Sequence, residues 1–92
     1  MEVDFQIKDV SFVWDSAKAA AHHPRITFEN AATVFLDPFL QTVDASQNGQ
    51  ARRAAIGFDS ISRVLFVVYV MDGSRIRIIS ARKATSQEKK LI

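Results

Sequence analysis

The chain reads as an α+β domain: a small antiparallel sheet with helices packed on one face, in the order β-α-α-β-β-β-β-α. Three observations predict it. Val64-Leu65-Phe66-Val67-Val68-Tyr69-Val70 is continuously apolar and β-rich, as a central strand covered on both faces would be. Asp72-Gly73 behind it is a hairpin turn of the I′ kind, which sends the chain back antiparallel. Phe28, Ala31, Ala32 and Phe35 fall at i, i+3, i+4 and i+7, one helical face able to cover a sheet.

The remaining elements follow in chain order. Phe5 to Trp14 mixes apolar and polar residues at roughly period two and predicts one N-terminal strand. Val10, Phe12 and Trp14 would share one face, Phe5 and Ile7 the other. Asp15 stands at an N-cap position before an alanine-rich helix, and Pro24 stops that helix. Thr27 caps the second helix, which ends at Asp37-Pro38. Phe39 to Asp44 and Arg52 to Phe58 read as strands around a polar loop containing Asn48-Gly49. After the central strand comes Arg75-Ile76-Arg77-Ile78-Ile79-Ser80-Ala81-Arg82-Lys83, four cations in nine residues. Alternating Arg and Ile predicts one buried and one cationic face. Thr85 and Glu88 have the spacing of a capping box, so a short last helix starts there. Val64, Phe66, Val68, Phe28, Phe35, Ile76 and Ile78 are the expected core.

Ninety-two residues, 48% of them hydrophobic, make a single domain over 1–92 with one modest core. The chain has no cysteine, which excludes disulfides and thiolate chemistry and fits a cytoplasmic setting. No apolar run is long enough to span a bilayer, and the acidic start Met1-Glu2-Val3-Asp4 is unlike a signal peptide. Net charge is only +2, but residues 1–44 hold seven acids and three bases, whereas residues 45–92 hold nine bases and three acids. Such asymmetry suits an anionic partner on one side of the domain, or head-to-tail self-association.

His22 and His23 are adjacent, a poor metal geometry, and no cysteine or third histidine completes a site; no metal and no cofactor are expected. Asp15, Glu29 and Glu88 are explained by helix starts, and the three glycines form no phosphate loop. What remains is cationic: Lys18 on the first helix, Arg52 and Arg53 on one strand, and Arg75, Arg77, Arg82 and Lys83 on or just after another. Arginine binds phosphate bidentately without deprotonating, and such a site can stabilise charge on a scissile phosphodiester.

Phe12-Val13-Trp14-Asp15, then Lys18-Ala19, then Phe28-Glu29-Asn30-Ala31-Ala32-Thr33-Val34-Phe35 resemble the N-terminal signature of the BrnT family. These are small ribonuclease toxins of bacterial type II toxin–antitoxin systems. Arg77-Ile78-Ile79-Ser80-Ala81-Arg82-Lys83-Ala84-Thr85, followed by Glu88, is similar to that family's most diagnostic stretch. The resemblance implies a RelE-like fold, RNA cleavage that arrests translation and growth, and a neighbouring antitoxin, BrnA. That antitoxin binds operator DNA through a ribbon-helix-helix domain, so the toxin meets DNA only through it. Position by position, the resemblance matches Lys18, Arg82, Lys83 and Glu88, and sets Arg52 a few residues before the family's Ile-Gly, here Ile56-Gly57. The family's Lys-His-Gly segment is shortened here to His22-His23-Pro24-Arg25, with His23 as the substitute histidine.

Together these readings describe a metal-independent endoribonuclease. Arg82, with Arg77 or Arg75, would hold the phosphoryl oxygens. Lys18 or Lys83 would add charge or assist proton transfer, and His23 or Glu88 would be the base. Arg52, Arg53 and Arg75 would bind the substrate. The alternative is a non-catalytic domain that binds an antitoxin or nucleic acid through the same basic surface.

Overall fold

A computed structural model describes residues 1–21 and 25–92. The order is β1 (Glu2–Ile7), β2 (Val10–Asp15), α1 (Ser16–Ala20), α2 (Phe28–Thr33) with a 3₁₀ turn at Val34–Leu36, β3 (Gln41–Asp44), β4 (Arg53–Phe58), β5 (Val64–Asp72), β6 (Arg75–Lys83) and α3 (Ser86–Lys89). The strands form one six-stranded sheet in the order β1-β2-β6-β5-β4-β3. All neighbours are antiparallel except β2 and β6, which run parallel, so the sheet is mixed.

The α+β class stands, with two corrections to the expected order. The N-terminal strand is a hairpin, β1 and β2, paired from Glu2↔Asp15 to Ile7↔Val10. Its turn at Lys8-Asp9 carries no glycine, and Lys8 takes a φ of +53°, so no turn signal marks it in the sequence. Folding back places Val3, Phe5, Ile7, Val10, Phe12 and Trp14 together on the helix side, not on two faces. The parallel pairing arises because β2 runs straight into the helix layer, and the chain returns to its side only with β6.

Helix starts follow their caps. The Asp15 carboxylate accepts from the amides of Ala17 and Lys18, and the Thr27 hydroxyl accepts from Asn30. Asn48 and Gly49 both have positive φ, which gives the polar loop its type I′ turn. Between Asp72 and Arg75 only Gly73 has positive φ, so that hairpin fits type II′, not I′.

The main core lies between the sheet and α2. It joins Phe12, Trp14, Leu65, Val67, Tyr69, Ile78 and Ala81 to Phe28, Ala31, Ala32 and Val34, with Phe35 and Ile76 partly buried against it. The expected core therefore splits. Val64, Phe66 and Val68 are half-buried on the opposite face. The period-two geometry of β5 forbids Phe66 and Val67 from facing the same side. On that opposite face Ala54 and Ile56 are themselves buried, paired with Val68 and Phe66, and Val13 is buried beside Arg77.

Gly57 is a close-approach position. A Cβ there would stand 3.0 Å from Asp37 Oδ2, 3.2 Å from Leu40 Cβ and 3.3 Å from Val34 Cγ1. The same Asp37 oxygen accepts the Phe58 amide at 2.9 Å, which ties the end of the helix layer to β4. Gly57→Ala is expected to lower unfolding free energy by about 1–3 kcal/mol through overpacking. Phe28→Ala should cost about 3–5 kcal/mol because Phe28 is fully enclosed, and Phe35→Ala distinctly less. Urea melts of the three variants check both the sign and the ranking.

Candidate functional site

The cationic strand is not a simple alternation. The β5–β6 register shifts between Val68 and Tyr69: Val68 pairs with Ser80 but Tyr69 pairs with Ile78, leaving Ile79 as an extra residue. This bulge lets Ile78 and Ala81, three apart, both face the helices. It also turns Arg82 onto the opposite face, across from Phe66. The Arg82 Cζ lies 4.2 Å from the Phe66 ring centroid, a cation–π contact.

A second contact fixes one edge of the same guanidinium. Thr85 and Glu88 form the expected capping box, with the Thr85 amide donating to Glu88 Oε1 at 2.8 Å and the Glu88 amide to Thr85 Oγ1 at 3.2 Å. Held there, Glu88 accepts from Arg82 Nη1 and Nη2, both at 2.8 Å. The second Nη1 hydrogen goes to the Lys83 carbonyl at 3.2 Å. A guanidinium has five donors. The Nε–H and the second Nη2–H, which form its other edge, have no acceptor among the described residues. Arg82 thus keeps a bidentate edge available while its side chain remains about half exposed, at 51%.

Arg82 lies at a cleft of about 320 Å³ lined by Arg25, Ile26, Ala81, Arg82 and Lys83. Its floor is apolar and its rim carries three cations. The Arg25 end is held by a buried anchor. Asp59 is enclosed, accepts from the amides of Ile61 and Arg63, and pairs with the Arg63 guanidinium, which in turn donates to the Arg25 carbonyl. Helix α1, which carries Lys18, packs against β6.

The sequence-derived candidates separate into groups. Arg82 and Lys83 line the cleft and Glu88 pairs with Arg82, with Lys18 on helix α1, which packs against β6. Arg75 and Arg77 do not join them. Arg75 pairs with Asp4 at 2.8 Å, and Arg77 pairs with Asp72 at 2.7 Å and with Glu2. Five residues of strand separate Arg77 from Arg82, roughly 16 Å at strand rise. The Asp72 and Glu2 carboxylates hold the Arg77 guanidinium above its ordinary range, and Arg77 pulls Asp72 below its own. The charge asymmetry between the halves of the chain is thus partly answered within the molecule. Arg52 and Arg53 form a third group, lining a cavity of about 480 Å³ with Asp44, Ser46 and Tyr69 at the start of β4. His23 lies outside the described residues.

The hydrogen bonds from Arg82 hold the Glu88 carboxyl below its usual range, at about 2, which favours its charged form beside the guanidinium. Arg25, Ile26 and Phe66 were missed. Arg25 directly follows the His-His-Pro segment, and Phe66 is indistinguishable in sequence from its apolar neighbours until the bulge is known.

The fold is that of a small α+β domain with a mixed sheet and a cationic cleft at one end of β6. The chain belongs to the BrnT family, described as the ribonuclease toxin of type II toxin–antitoxin systems, which it matches over residues 14–88. An RNA substrate and an antitoxin partner come with that family. No individually curated protein matches the chain in sequence. Among the described residues no helix is long and apolar enough to cross a membrane.

The Arg82–Glu88 pair has a definite pH signature. The folded-state value of Glu88 lies below its ordinary one, so the stabilisation is fully present above about 4.5 and is lost as pH falls through about 2. Carbon-detected NMR should show Glu88 titrating near 2 in the intact protein and distinctly higher in Arg82→Ala. A Glu88 midpoint near 4.5 in both would mean that the pair does not persist in solution.

Proposed function

We propose that this protein is a metal-independent endoribonuclease with a RelE-like fold, neutralised by a BrnA-type ribbon-helix-helix antitoxin. The observation that carries the catalytic reading is the Nε/Nη2 edge of Arg82, which no acceptor among the described residues takes, beside a cationic cleft. A phosphodiester offers two non-bridging oxygens at a spacing that this edge matches. The ribose 2′-hydroxyl attacks the adjacent phosphorus; the new P–O2′ bond forms as the P–O5′ bond breaks. The products are a 2′,3′-cyclic phosphate and a 5′-hydroxyl.

Arg82 neutralises the charge gathering on the non-bridging oxygens. Arg25, Lys83 and Lys18 add positive potential, which also disfavours a divalent cation at the same place. Glu88 aims Arg82 and takes no proton. His23, two residues before Arg25 in the chain, is the candidate base for the 2′-hydroxyl proton. The leaving 5′-oxygen takes its proton from a lysine of the cleft or from water. Arg52 and Arg53 serve the flanking strand. Arg75 and Arg77 are assigned to the sheet, not to the phosphate. An RNA target puts the place of action in the cytoplasm, and DNA is met only through the antitoxin.

Arg82→Ala is expected to fold, to lose RNA cleavage by about 100-fold or more and to relieve growth arrest. Arg82→Lys should recover little, because one ammonium cannot supply a bidentate edge. Cleavage of a single-stranded RNA with chelator present, alongside circular dichroism, tests both statements. A folded Arg82→Ala that cuts at the wild-type rate removes the assignment, and a wild type that needs added metal removes metal independence. Wild type that binds RNA without cutting it would favour a binding-only domain.

A further inference from the structure

The proposed chemistry requires Arg82 to present its open edge in one direction, and Glu88, the Lys83 carbonyl and Phe66 all bear on that direction. Glu88 and the Lys83 carbonyl take hydrogens on the far side of the guanidinium, which leaves its plane free to tilt about those contacts. The Phe66 ring, 4.2 Å from Cζ, removes that freedom by giving the cation a flat surface. Phe66 is half-buried on the face away from the helix core, so its aromatic character is not demanded by that core. Its neighbours on the same face of β5 are Val64, Val68 and Val70, all aliphatic. A ring stands only at the position paired with Arg82.

Resting on the reading of Arg82 as the phosphate-holding residue, we infer that Phe66 is a positioning residue that fixes the plane of the Arg82 guanidinium for RNA cleavage. It touches neither RNA nor the reacting atoms and acts only through Arg82. Removing the ring leaves the charge of Arg82 and its pair with Glu88 in place but loosens the orientation of the open edge. Misplacing a catalytic group by about an ångström costs up to about 100-fold in rate. The loss should fall on kcat, since a mobile Arg82 still attracts RNA.

The test is cleavage of a short single-stranded RNA by the full chain. Phe66→Leu is expected to lower kcat about 10- to 100-fold with KM little changed. Phe66→Tyr, which keeps the ring, should stay within about threefold of wild type. If Phe66→Leu does not fold by circular dichroism, Phe66→Met replaces it as the variant without a ring. In an Arg82→Ala background the same Phe66 substitution should have no further effect. A folded Phe66→Leu that cuts at the wild-type rate, beside an inactive Arg82→Ala, overturns this inference alone. So does an additional loss in the Arg82→Ala background, which would show Phe66 acting independently of Arg82. Full activity in Arg82→Ala instead overturns the underlying assignment of Arg82.

Discussion

One extra residue in β6 decides what this sheet can do. The bulge at Ile79 is the point where a strand that must fill a core also becomes a strand that must present a cation. With strict alternation, Ile78 pointing to the helices would bring Ser80 and Arg82 to the same side, and Arg82 would enter a region occupied by Leu65, Val67 and Phe28. A buried, unpaired guanidinium would be prohibitively costly there. The bulge instead lets Ala81 close the core while Arg82 emerges across from Phe66 and within reach of Glu88. Core packing and the cationic site are therefore two outcomes of one local irregularity.

The cations along β6 have different fates because their surroundings differ. Arg75 and Arg77 lie beside β1 and the hairpin turn, and Glu2, Asp4 and Asp72 neutralise them. There they join the edge hairpin to the middle of the sheet, an internal use for the acidic half of the chain. Arg82 has a single carboxylate partner, fixed at one edge by the cap of α3. Equal formal charge in sequence thus becomes a structural clamp at one end of the strand and a ligand-ready group at the other.

Much of the fold was legible because local chemistry and global structure agree. The caps at Asp15, Thr27 and Thr85, the apolar stripe of α2 and the Asn48-Gly49 turn each work through neighbours close in sequence. What was not legible depends on pairing across the chain. The β1–β2 turn uses Lys8 at positive φ without glycine, and the parallel β2–β6 contact joins residues far apart. Period alone could not say which residues of the continuous run Val64–Val70 face the helices. Of the candidate site, the closeness of Arg82, Lys83 and Glu88 was legible from their spacing in sequence. Phe66 and the Asp59–Arg63–Arg25 chain were not, because each depends on a register or a turn that only the folded molecule supplies.

The parallel ladder also sets an order of events during synthesis. Phe12 meets Ile76 and Val13 meets Arg77, so the first hairpin has no seat in the sheet until the last strand, β6, has been made. Contacts at such sequence separation form slowly, after local ones, and only when both ends of the chain exist. The carboxylate that steadies Arg82 comes later still, at Glu88. A nascent chain can therefore fold the β3–β4–β5 meander, with the Phe66 platform in place, before the Glu88 anchor of the guanidinium exists. Translation interrupted between Lys83 and Glu88 would release a molecule with most of the architecture and without the aimed cation.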